Sequence, residues 1–280
     1  MKFFWLSILL PWAGAVKTDL IHKLPRIYCP QIRLQSSTVV ELGAPKSPIA
    51  HYISNVLRMK TGYMIRVFNG IEGEYVCRLM TVKKGDAIFV EVLEKTKDVH
   101  DETSLNCTLY FSPIKSKRMK LLVEKSTEIG VSALQPVITQ NTNEVLTPTD
   151  LQSLEATIIE AAEQSERLSI PALREPVTFA SFLERARSVG GESAVTLACL
   201  ERSISTPLLT AINEVHNTSP RPHLGILIGP EGGFTQKEIS DIEESAGRSL
   251  RLVSLGTNVL RSETAALFAL SCWSAVHGSR

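Results

Sequence analysis

Two segments near the end of the chain constrain the fold more than any other feature. They are HLGILIGPEGGF (223–234) and LGTNVLRSETAALFAL (255–270), each joining an apolar strand pattern to a glycine-containing loop and then a helix pattern. The run 224–228 has the length and β-branched content of a buried strand, and it stops at Gly229. Two such units in succession predict an α/β ligand cleft at the carboxyl ends of strands.

The residues of the first loop indicate the charge of its ligand. Gly232 and Gly233 have no side chains, so backbone N–H and C=O groups can touch a ligand directly. Pro230 and Glu231 break the dinucleotide-binding pattern, and no Gly-Lys-Ser/Thr follows. Because Glu231 would repel an anion, the loop favours a neutral or cationic ligand over a phosphate. A plain tight connection between strand and helix is the alternative that composition alone allows.

Local signals place the elements around these loops. Thr235 with Glu238 forms a capping-box pattern, which predicts a helix through about Ser245. A strand over 250–255 and a second helix with apolar residues running to Trp273 follow.

The two motifs together resemble the C-terminal signature of the SPOUT methyltransferases, and within them the RsmE-type 16S ribosomal RNA uridine-N3 methyltransferases. IGPEGGF and LGxxxLRxETAALxAL occur in the family's order and at its separation. The similarity extends upstream to KSTEIGV (125–131) and EAAEQSER (160–167), and it covers residues 25–276. Glu166 stands where a glycine is common in the family, and Asn69 where an aspartate is more usual.

This resemblance implies an α/β fold with two domains and an enzymatic function. A PUA-like RNA-binding β-barrel would occupy residues 25–100, and a SPOUT domain with a parallel sheet and a trefoil knot would occupy 105–280. The family acts as a homodimer and uses S-adenosylmethionine to methylate N3 of a specific uridine in small-subunit ribosomal RNA. Its substrate would therefore be ribosomal RNA or the small ribosomal subunit.

The resemblance also implies roles for particular residues. The cofactor would contact Leu227, Gly229, Glu231, Gly232, Leu255, Gly256, Leu260 and Thr264. Catalysis would involve Arg261, Glu263 and Arg167, with the arginines stabilising the uracil anion and Glu263 or a water acting as base. A structural cap or ion pair is the alternative for Glu263. RNA would contact Arg58, Lys60, Arg118, Lys125, Glu128 and Gln164.

The N-terminal half shows a different periodicity. Two-residue alternation at 64–68, 74–80 and 87–93 predicts strands of a small antiparallel barrel, preceded by a helix over 51–59. Residues 25–100 contain eleven Lys or Arg against seven Asp or Glu. This modest excess suits an ordinary solvated surface or a phosphate-contacting face. Polar residues at 96–108 predict the domain boundary.

Alternating strand and helix patterns after residue 109 predict a parallel sheet with helices on both faces. A helix opening near Lys115 should bury Met119, Leu122, Val123 and Ser126, with Arg118, Lys125 and Glu128 on another face. A long helix should start at Asp150 or Ser153 and end near Leu168, with a polar stripe at Glu160, Glu163, Gln164 and Arg167. Further patterns predict strands at 132–139 and 195–200 and a helix over 208–215.

Cysteine usage and the first residues bear on the compartment. Five scattered cysteines without a CxxC motif argue against disulfides and zinc, and no histidine spacing indicates a metal. Residues 1–24 form a hydrophobic extension that fits a targeting segment or a misassigned start, and their apolar run is too short to span a bilayer. We expect a cytoplasmic protein, or a mitochondrial or plastid one if residues 1–24 are a targeting segment.

Two other functions stay open at this point. One is an RNA-binding ribosome-assembly factor that holds the cofactor without productive transfer. The other is a SPOUT methyltransferase that acts on a different ribosomal RNA nucleotide. Intact GPEGG and LRxETAA motifs disfavour the first alternative.

Overall fold

The computed structural model describes residues 18–101, 105–188, 194–200, 205–218, 223–245 and 249–277. Most of the hydrophobic extension lies outside these residues. The chain divides into two compact units, residues 1–102 and 103–280. In the part of the chain described, no helix is long and apolar enough to cross a membrane.

The first unit is built on a five-stranded sheet. Its elements are α1 (Thr18–Ile21), β1 (Arg26–Tyr28), β2 (Thr38–Gly43), α2 (Pro48–His51), β3 (Met64–Phe68), β4 (Glu74–Thr81) and β5 (Ile88–Lys97). A π-helical segment, Tyr52–Val56, continues α2, and a 3₁₀ turn, Val99–Asp101, follows β5. The strand order is β1-β3-β4-β5-β2. The β1–β3 pair is parallel and the other pairs are antiparallel, so one pair departs from the predicted antiparallel arrangement.

The helix before β3 begins earlier than the sequence patterns predict. It starts at Pro48 rather than His51, because the Ser47 hydroxyl accepts a hydrogen bond from the Ala50 N–H at 3.2 Å. Ser47 is the N-cap and Pro48 stands in the first turn, where its missing N–H costs nothing.

A buried ionic cluster links four neighbouring strands of the first sheet, β1, β3, β4 and β5. Glu74 is fully buried, and its carboxylate accepts from the Arg26 Nε–H and lies 3.6 Å from Nη1 of Arg66. The Thr96 hydroxyl donates to the same carboxylate at 3.0 Å. The Arg26 guanidinium also stacks 3.8 Å from the centroid of the Phe68 ring. These partners offset the cost of removing the charges from water, which would be large for an unpaired carboxylate.

The second unit is a parallel α/β sheet, which confirms the predicted fold class. Its elements are β6 (Cys107–Phe111), α3 (Ser116–Ile129), β7 (Ala133–Ile138), α4 (Pro148–Gln164), β8 (Ala172–Leu173), β9 (Val177–Thr178), α5 (Phe179–Ser188), β10 (Ala194–Cys199), β11 (Thr206–Pro207), α6 (Leu208–Thr218), β12 (His223–Ile228), α7 (Gln236–Glu244), β13 (Leu250–Ser254) and α8 (Ser262–His277). The strand order is β11-β13-β10-β12-β6-β7-β8, with β9 beside β7. All recorded pairings in this unit are parallel.

The order of the central strands sets the position of the site. β10 lies between β12 and β13, so the chain passes from one side of β10 to the other between these two strands. The carboxyl ends of the three strands therefore meet at one edge of the sheet. Formation of the trefoil knot stays a prediction.

The helices of this unit follow the predicted faces but not all the predicted ends. α3 buries the predicted Met119, Leu122, Val123 and Ser126, and it ends at Gly130 with φ 115°. α4 begins at Pro148, before the predicted start, because Thr147 and Asp150 form a capping box. It ends at Gln164 instead of continuing to Leu168.

Candidate functional site

A cavity of about 240 Å³ lies at the carboxyl ends of β10, β12 and β13. Its walls come from the end of β10, the loop after β12 and the loop after β13. The lining residues are Cys199, Leu200, Ile228, Gly229, Pro230, Gly233, Phe234, Ile239, Leu255, Gly256, Asn258, Leu260, Ser262 and Ala265. None of them is charged, so the wall suits a ligand with a large apolar or neutral surface.

The loop after β12 is shaped by close packing of its own residues. A Cβ added at Gly229 would come within 2.7 Å of the Phe234 ring, so a larger residue there would force the ring or the loop to shift. Gly233 has φ 69°, a left-handed conformation that favours glycine, and its N–H donates to the Pro230 carbonyl at 2.9 Å. The loop is thus a fixed turn, and its backbone lines the cavity.

Residues of the β7–α4 connection hold this loop from outside. The Asn141 amide donates to the carbonyls of Gly232 and Gly233 at 3.2 and 3.0 Å. The Glu238 carboxylate accepts from the Gln140 N–H at 2.8 Å and also completes the capping box with Thr235. Asn141 is a residue that sequence reasoning missed. The two glycine carbonyls thus each accept one hydrogen bond from Asn141, which fixes the position of this part of the loop.

The second motif is joined to the first by one hydrogen bond. The Ser262 hydroxyl at the start of α8 donates to the Gly229 carbonyl at 3.1 Å. Gly256 opens the second loop with φ 118°, and no atom lies within 4 Å of where its Cβ would stand. Leu255 and Leu260 from the same loop line the cavity. The two motifs, separate in sequence, therefore form one continuous wall.

A charged cluster lies beside the first loop. The Arg118 guanidinium of α3 pairs with Glu231, with Nη1 and Oε1 2.6 Å apart. The same nitrogen lies 3.9 Å from Oε2 of Glu263, in the first turn of α8. The Glu263 side chain is 10% exposed, and its Oε2 is buried without a hydrogen-bond partner among the described residues. The Arg118 guanidinium thus faces two carboxylates, and it lies within hydrogen-bonding distance of Glu231 but not of Oε2 of Glu263.

The predicted cofactor contacts divide into two groups. Gly229, Leu255, Gly256 and Leu260 line the cavity. Leu227 instead packs in the core between the sheet and α5, and Thr264 is exposed on α8. Glu231 and Gly232 lie on the same loop but outside the lining set, with Glu231 paired to Arg118 and Gly232 bonded to Asn141.

The predicted catalytic arginines have different surroundings. Arg261 is exposed just before α8, and its side chain has no ion pair among the described residues. Arg167 is buried, and its guanidinium donates to the carbonyls of Thr127 and Val131 at 2.7 and 3.0 Å and to the Ser169 hydroxyl at 2.9 Å. These bonds hold the C-terminal end of α3, away from the cavity wall.

The predicted RNA contacts lie at the surface of their units. Arg58 and Lys60 are exposed after the π-helical segment, with Arg58 at φ 52°. The Lys125 ammonium lies 2.8 Å from the carboxylates of both Glu124 and Glu128. Gln164 is exposed at the end of α4, whereas Arg118 points to Glu231 instead.

Cys199 stands at the cavity wall and is the only thiol there. Burial raises its pKa to about 12, so it stays protonated at neutral pH. A protonated thiol is a poor nucleophile, and the cavity therefore offers no thiolate for covalent chemistry. Among the described residues, no group of three or more His, Cys, Asp or Glu side chains could hold a metal ion.

Comparison with known proteins places both units in families. A family described as an RNA methyltransferase domain matches residues 101–274, and one described as an RNA methyltransferase PUA domain matches residues 46–92. A protein of Rickettsia conorii named ribosomal RNA small subunit methyltransferase E is 28% identical over 89% of this chain and 94% of its own. A protein of Synechocystis with the same name is 31% identical over 79% of this chain and 69% of its own.

Solved structures give the same family. A ribosomal RNA small subunit methyltransferase E from Neisseria gonorrhoeae, bound to S-adenosyl methionine, has a TM-score of 0.73 and 28% identity, covering 89% of this chain and 95% of that chain. A Legionella pneumophila protein in complex with the bound cofactor SAM has a TM-score of 0.74 and 30% identity, covering 90% of this chain and 97% of that chain.

Proposed function

The chain belongs to the RNA methyltransferase family that includes the ribosomal RNA small subunit methyltransferases E, and from this membership we propose that it methylates N3 of a uridine in small-subunit ribosomal RNA. It is an S-adenosylmethionine-dependent enzyme, as the relatives bound to this cofactor indicate. The observation that carries the proposal is the cavity at the carboxyl ends of β10, β12 and β13, walled by both glycine-containing loops.

The lining of that cavity fits the cofactor. Apolar side chains such as Leu200, Ile228 and Leu260 suit an adenine ring, and Asn258 offers an amide for polar contacts. No lysine or arginine lines the wall, so nothing in it repels a sulfonium cation. When bound, the cofactor supplies an electrophilic methyl carbon next to this positive sulfur.

The chemistry on the acceptor needs a proton acceptor and a stabiliser of negative charge. N3–H of uridine is a weak acid, and N3 becomes a nucleophile when its proton leaves. The N3–CH₃ bond then forms as the S–CH₃ bond breaks, and the sulfur keeps that electron pair. Arg261, exposed at the start of α8, stabilises the uracil anion in this proposal. Glu263 or a water takes the proton, since Oε2 of Glu263 has no hydrogen-bond donor among the described residues.

We propose a positioning role for Arg118 within this site and a structural role for Arg167 outside the cavity wall. Arg118 links the loop after β12 to α3 through Glu231, and it approaches the start of α8 through Glu263. It therefore restrains the loop that bounds the cofactor cavity, a role that differs from the RNA contact expected for it. Arg167 secures the α3 C-terminus through backbone carbonyls, and these contacts support a structural role for it.

The remaining contacts concern RNA and assembly. We propose that residues 25–100 form the RNA-binding domain and 105–280 the catalytic domain. Arg58 and Lys60 would contact RNA from the first unit, and Lys125, Glu128 and Gln164 from the second. A homodimer is supported by exposed apolar side chains on two helices that pack together, Leu121 on α3 and Phe268 on α8.

The relatives named above are bacterial, and we propose a cytoplasmic compartment, with an organelle as the alternative if residues 1–24 are a targeting segment.

The role of Arg261 is tested by Arg261→Ala. Turnover on small-subunit ribosomal RNA should fall by about a hundredfold or more, because one donor to the developing anion is lost. Cofactor affinity, measured by calorimetry, should stay unchanged. Arg251→Ala, which removes a guanidinium paired with Glu214 at 2.8 Å in the same unit, is the control and should keep full turnover. Unchanged turnover in Arg261→Ala with normal cofactor binding would remove the anion-stabilising role.

Binding without transfer is the outcome that would support an assembly factor instead. In that case the protein would titrate with S-adenosylmethionine but leave small-subunit ribosomal RNA without a labelled methyl group. The proposed enzyme should instead transfer the label from the cofactor to the RNA.

A further inference from the structure

A second cavity, of about 220 Å³, lies at the opposite edge of the same sheet. It is close in size to the cofactor cavity, but it stands at the amino ends of β10 and β12, where Val195, Thr196 and His223 line it. α5 contributes Phe182, Arg185 and Ala186 to its wall. The cavity thus shares no lining residue with the cofactor site.

The second cavity has a positive lining. Arg174, just after β8, and Arg185 of α5 both border it, and none of the lining residues is Asp or Glu. The remaining polar groups are Tyr110, Gln135, Thr196, His223 and Ser249. Arg174 also hydrogen-bonds to the Tyr110 side chain. The described lining thus carries two guanidiniums and no carboxylate, a charge balance that attracts an anion.

The polar groups at the floor are fixed by hydrogen bonds. The His223 ring nitrogens lie 2.9 Å from Oδ1 of Asn106 and 3.0 Å from Oγ1 of Thr108. Burial lowers the pKa of His223, and the Arg174 charge lowers it further, so the imidazole is neutral at pH 7. The Gln135 amide donates to the Glu175 carbonyl at 2.6 Å, which orients that side chain.

Two hydroxyls in the lining are available to a ligand. The side chains of Thr196 and Ser249 have no hydrogen-bond partner among the described residues. Gly225 on β12 packs against the Thr196 and Tyr110 side chains. A Cβ on Gly225 would come within 2.3 Å of Oγ1 of Thr196 and 3.0 Å of the Tyr110 ring. The strand backbone therefore packs against Thr196 and Tyr110 from below and holds both in place.

We propose that this cavity binds the phosphate group of a small phosphorylated molecule, of the size of a nucleoside monophosphate. Arg174 and Arg185 would bind the phosphate oxygens, and the Thr196 and Ser249 hydroxyls would donate to it. Phosphate is favoured over a carboxylate ligand because four donor side chains line one small space, and a phosphate monoester has three oxygens to accept from them. This site is separate from the methyl-transfer site and does not depend on the proposed function.

Calorimetry on the full chain tests the proposal. The protein is first saturated with S-adenosylmethionine, so that the first cavity cannot take up the probe. Uridine 5′-monophosphate should then bind about tenfold or more tightly than uridine, because only the former carries the phosphate. Inorganic phosphate should compete with it. The affinity for a short single-stranded RNA with a 5′-hydroxyl should be the same in Arg174→Met as in the unchanged chain, because the proposed RNA contacts lie outside this cavity.

A matched pair of variants locates the site. Arg174→Met should weaken the binding of uridine 5′-monophosphate by about tenfold, the usual effect of losing one charge-assisted contact to phosphate. Arg187→Met is the control, since Arg187 lies on the same helix as Arg185 but bonds to the Ser245 hydroxyl at 3.0 Å and is absent from the lining. Both variants should keep the affinity for S-adenosylmethionine, which also shows that they fold.

The proposal is overturned if uridine and uridine 5′-monophosphate bind equally, or if neither binds. It is also overturned if Arg174→Met leaves the affinity unchanged or if Arg187→Met weakens it as much. If Arg174→Met weakens the binding of the 5′-hydroxyl RNA as much as that of the mononucleotide, the proposal is contradicted as well, since the cavity would then be part of an RNA surface. If Arg174→Met does not fold, Thr196→Val and Ser249→Ala together give the same test.

Discussion

At the residue scale, the Arg118 guanidinium connects more parts of the site than any other side chain described. It reaches Glu231 at 2.6 Å and Glu263 at 3.9 Å, on two different segments. Both Arg118 and Glu231 side chains are about one-third exposed, so the pair adds on the order of 0.2–1 kcal/mol to stability. Its larger effect should be on the position of the loop, and therefore on cofactor affinity.

A double-mutant cycle measures that effect. Arg118→Met and Glu231→Gln should each weaken S-adenosylmethionine binding by about two- to tenfold, because either change frees the loop after β12. The double variant should bind no more weakly than the weaker single variant, since both changes remove the same contact. Calorimetry gives the affinities, and thermal unfolding checks that the folded state persists.

Another surface pair in the same unit serves as the control for this cycle. Lys237 and Asp241 on α7 lie 3.0 Å apart, and Lys237→Met with Asp241→Asn should leave cofactor affinity unchanged. Fully additive losses for Arg118 and Glu231 would contradict the shared contact. An affinity that neither change alters would contradict the loop restraint.

His223 gives a prediction about pH. Because its folded pKa lies below the unfolded value of about 6.5, the unfolded chain binds more protons in this range and stability increases with pH. The contribution of His223 is therefore complete above the unfolded pKa and is lost as the pH falls through the folded pKa. Denaturation at pH 7.5 and pH 5.5 should show a smaller loss of stability in His223→Gln than in the unchanged chain. Equal losses would show that His223 does not titrate differently on folding.

At the element scale, the two glycine-containing loops bring the strand ends into one wall. Gly256 has φ 118°, and open space surrounds the position of its absent Cβ, so a substitution there costs backbone strain without a clash. Gly256→Ala should shift the second loop and weaken S-adenosylmethionine binding by about tenfold. Calorimetry measures this directly.

Gly62 in the first unit provides the matched comparison. It has φ 88° and equally open surroundings, so Gly62→Ala imposes a similar strain on the backbone. It should cost about 1 kcal/mol of stability and leave cofactor affinity unchanged. A loss of affinity in Gly62→Ala, or none in Gly256→Ala, would mean that the second loop does not shape the cofactor cavity.

Elements with local signals could be predicted from the sequence. The Thr235–Glu238 capping box and the buried stripe of α3 depend on residues three or four apart, and both are confirmed. The starts of α2 and α4 were missed, although Ser47-Pro48 and Thr147-Pro148 are recognisable caps. β8, β9 and β11 have two residues each, and pairing with a neighbouring strand forms them rather than any periodicity of their own.

At the scale of the whole molecule, the site depends on contacts between distant parts of the chain. Asn141 bonds to glycine carbonyls 91 and 92 residues away, and Arg118 pairs with Glu231, which lies even farther along the chain. No spacing rule in the sequence predicts such partners. The sequence pattern likewise puts Arg167 on the polar face of a long helix. In the structure α4 ends at Gln164, and the following turn brings the Arg167 guanidinium to the carbonyls of Thr127 and Val131.

The most direct test of the account is to map methylation on small-subunit ribosomal RNA after incubation with the purified protein and S-adenosylmethionine. Mass spectrometry of nuclease fragments should find one added methyl group on N3 of a single uridine, and none when the cofactor is omitted. Cofactor binding without any new methyl group would contradict the account, and a methyl group on another base or atom would contradict its choice of nucleotide.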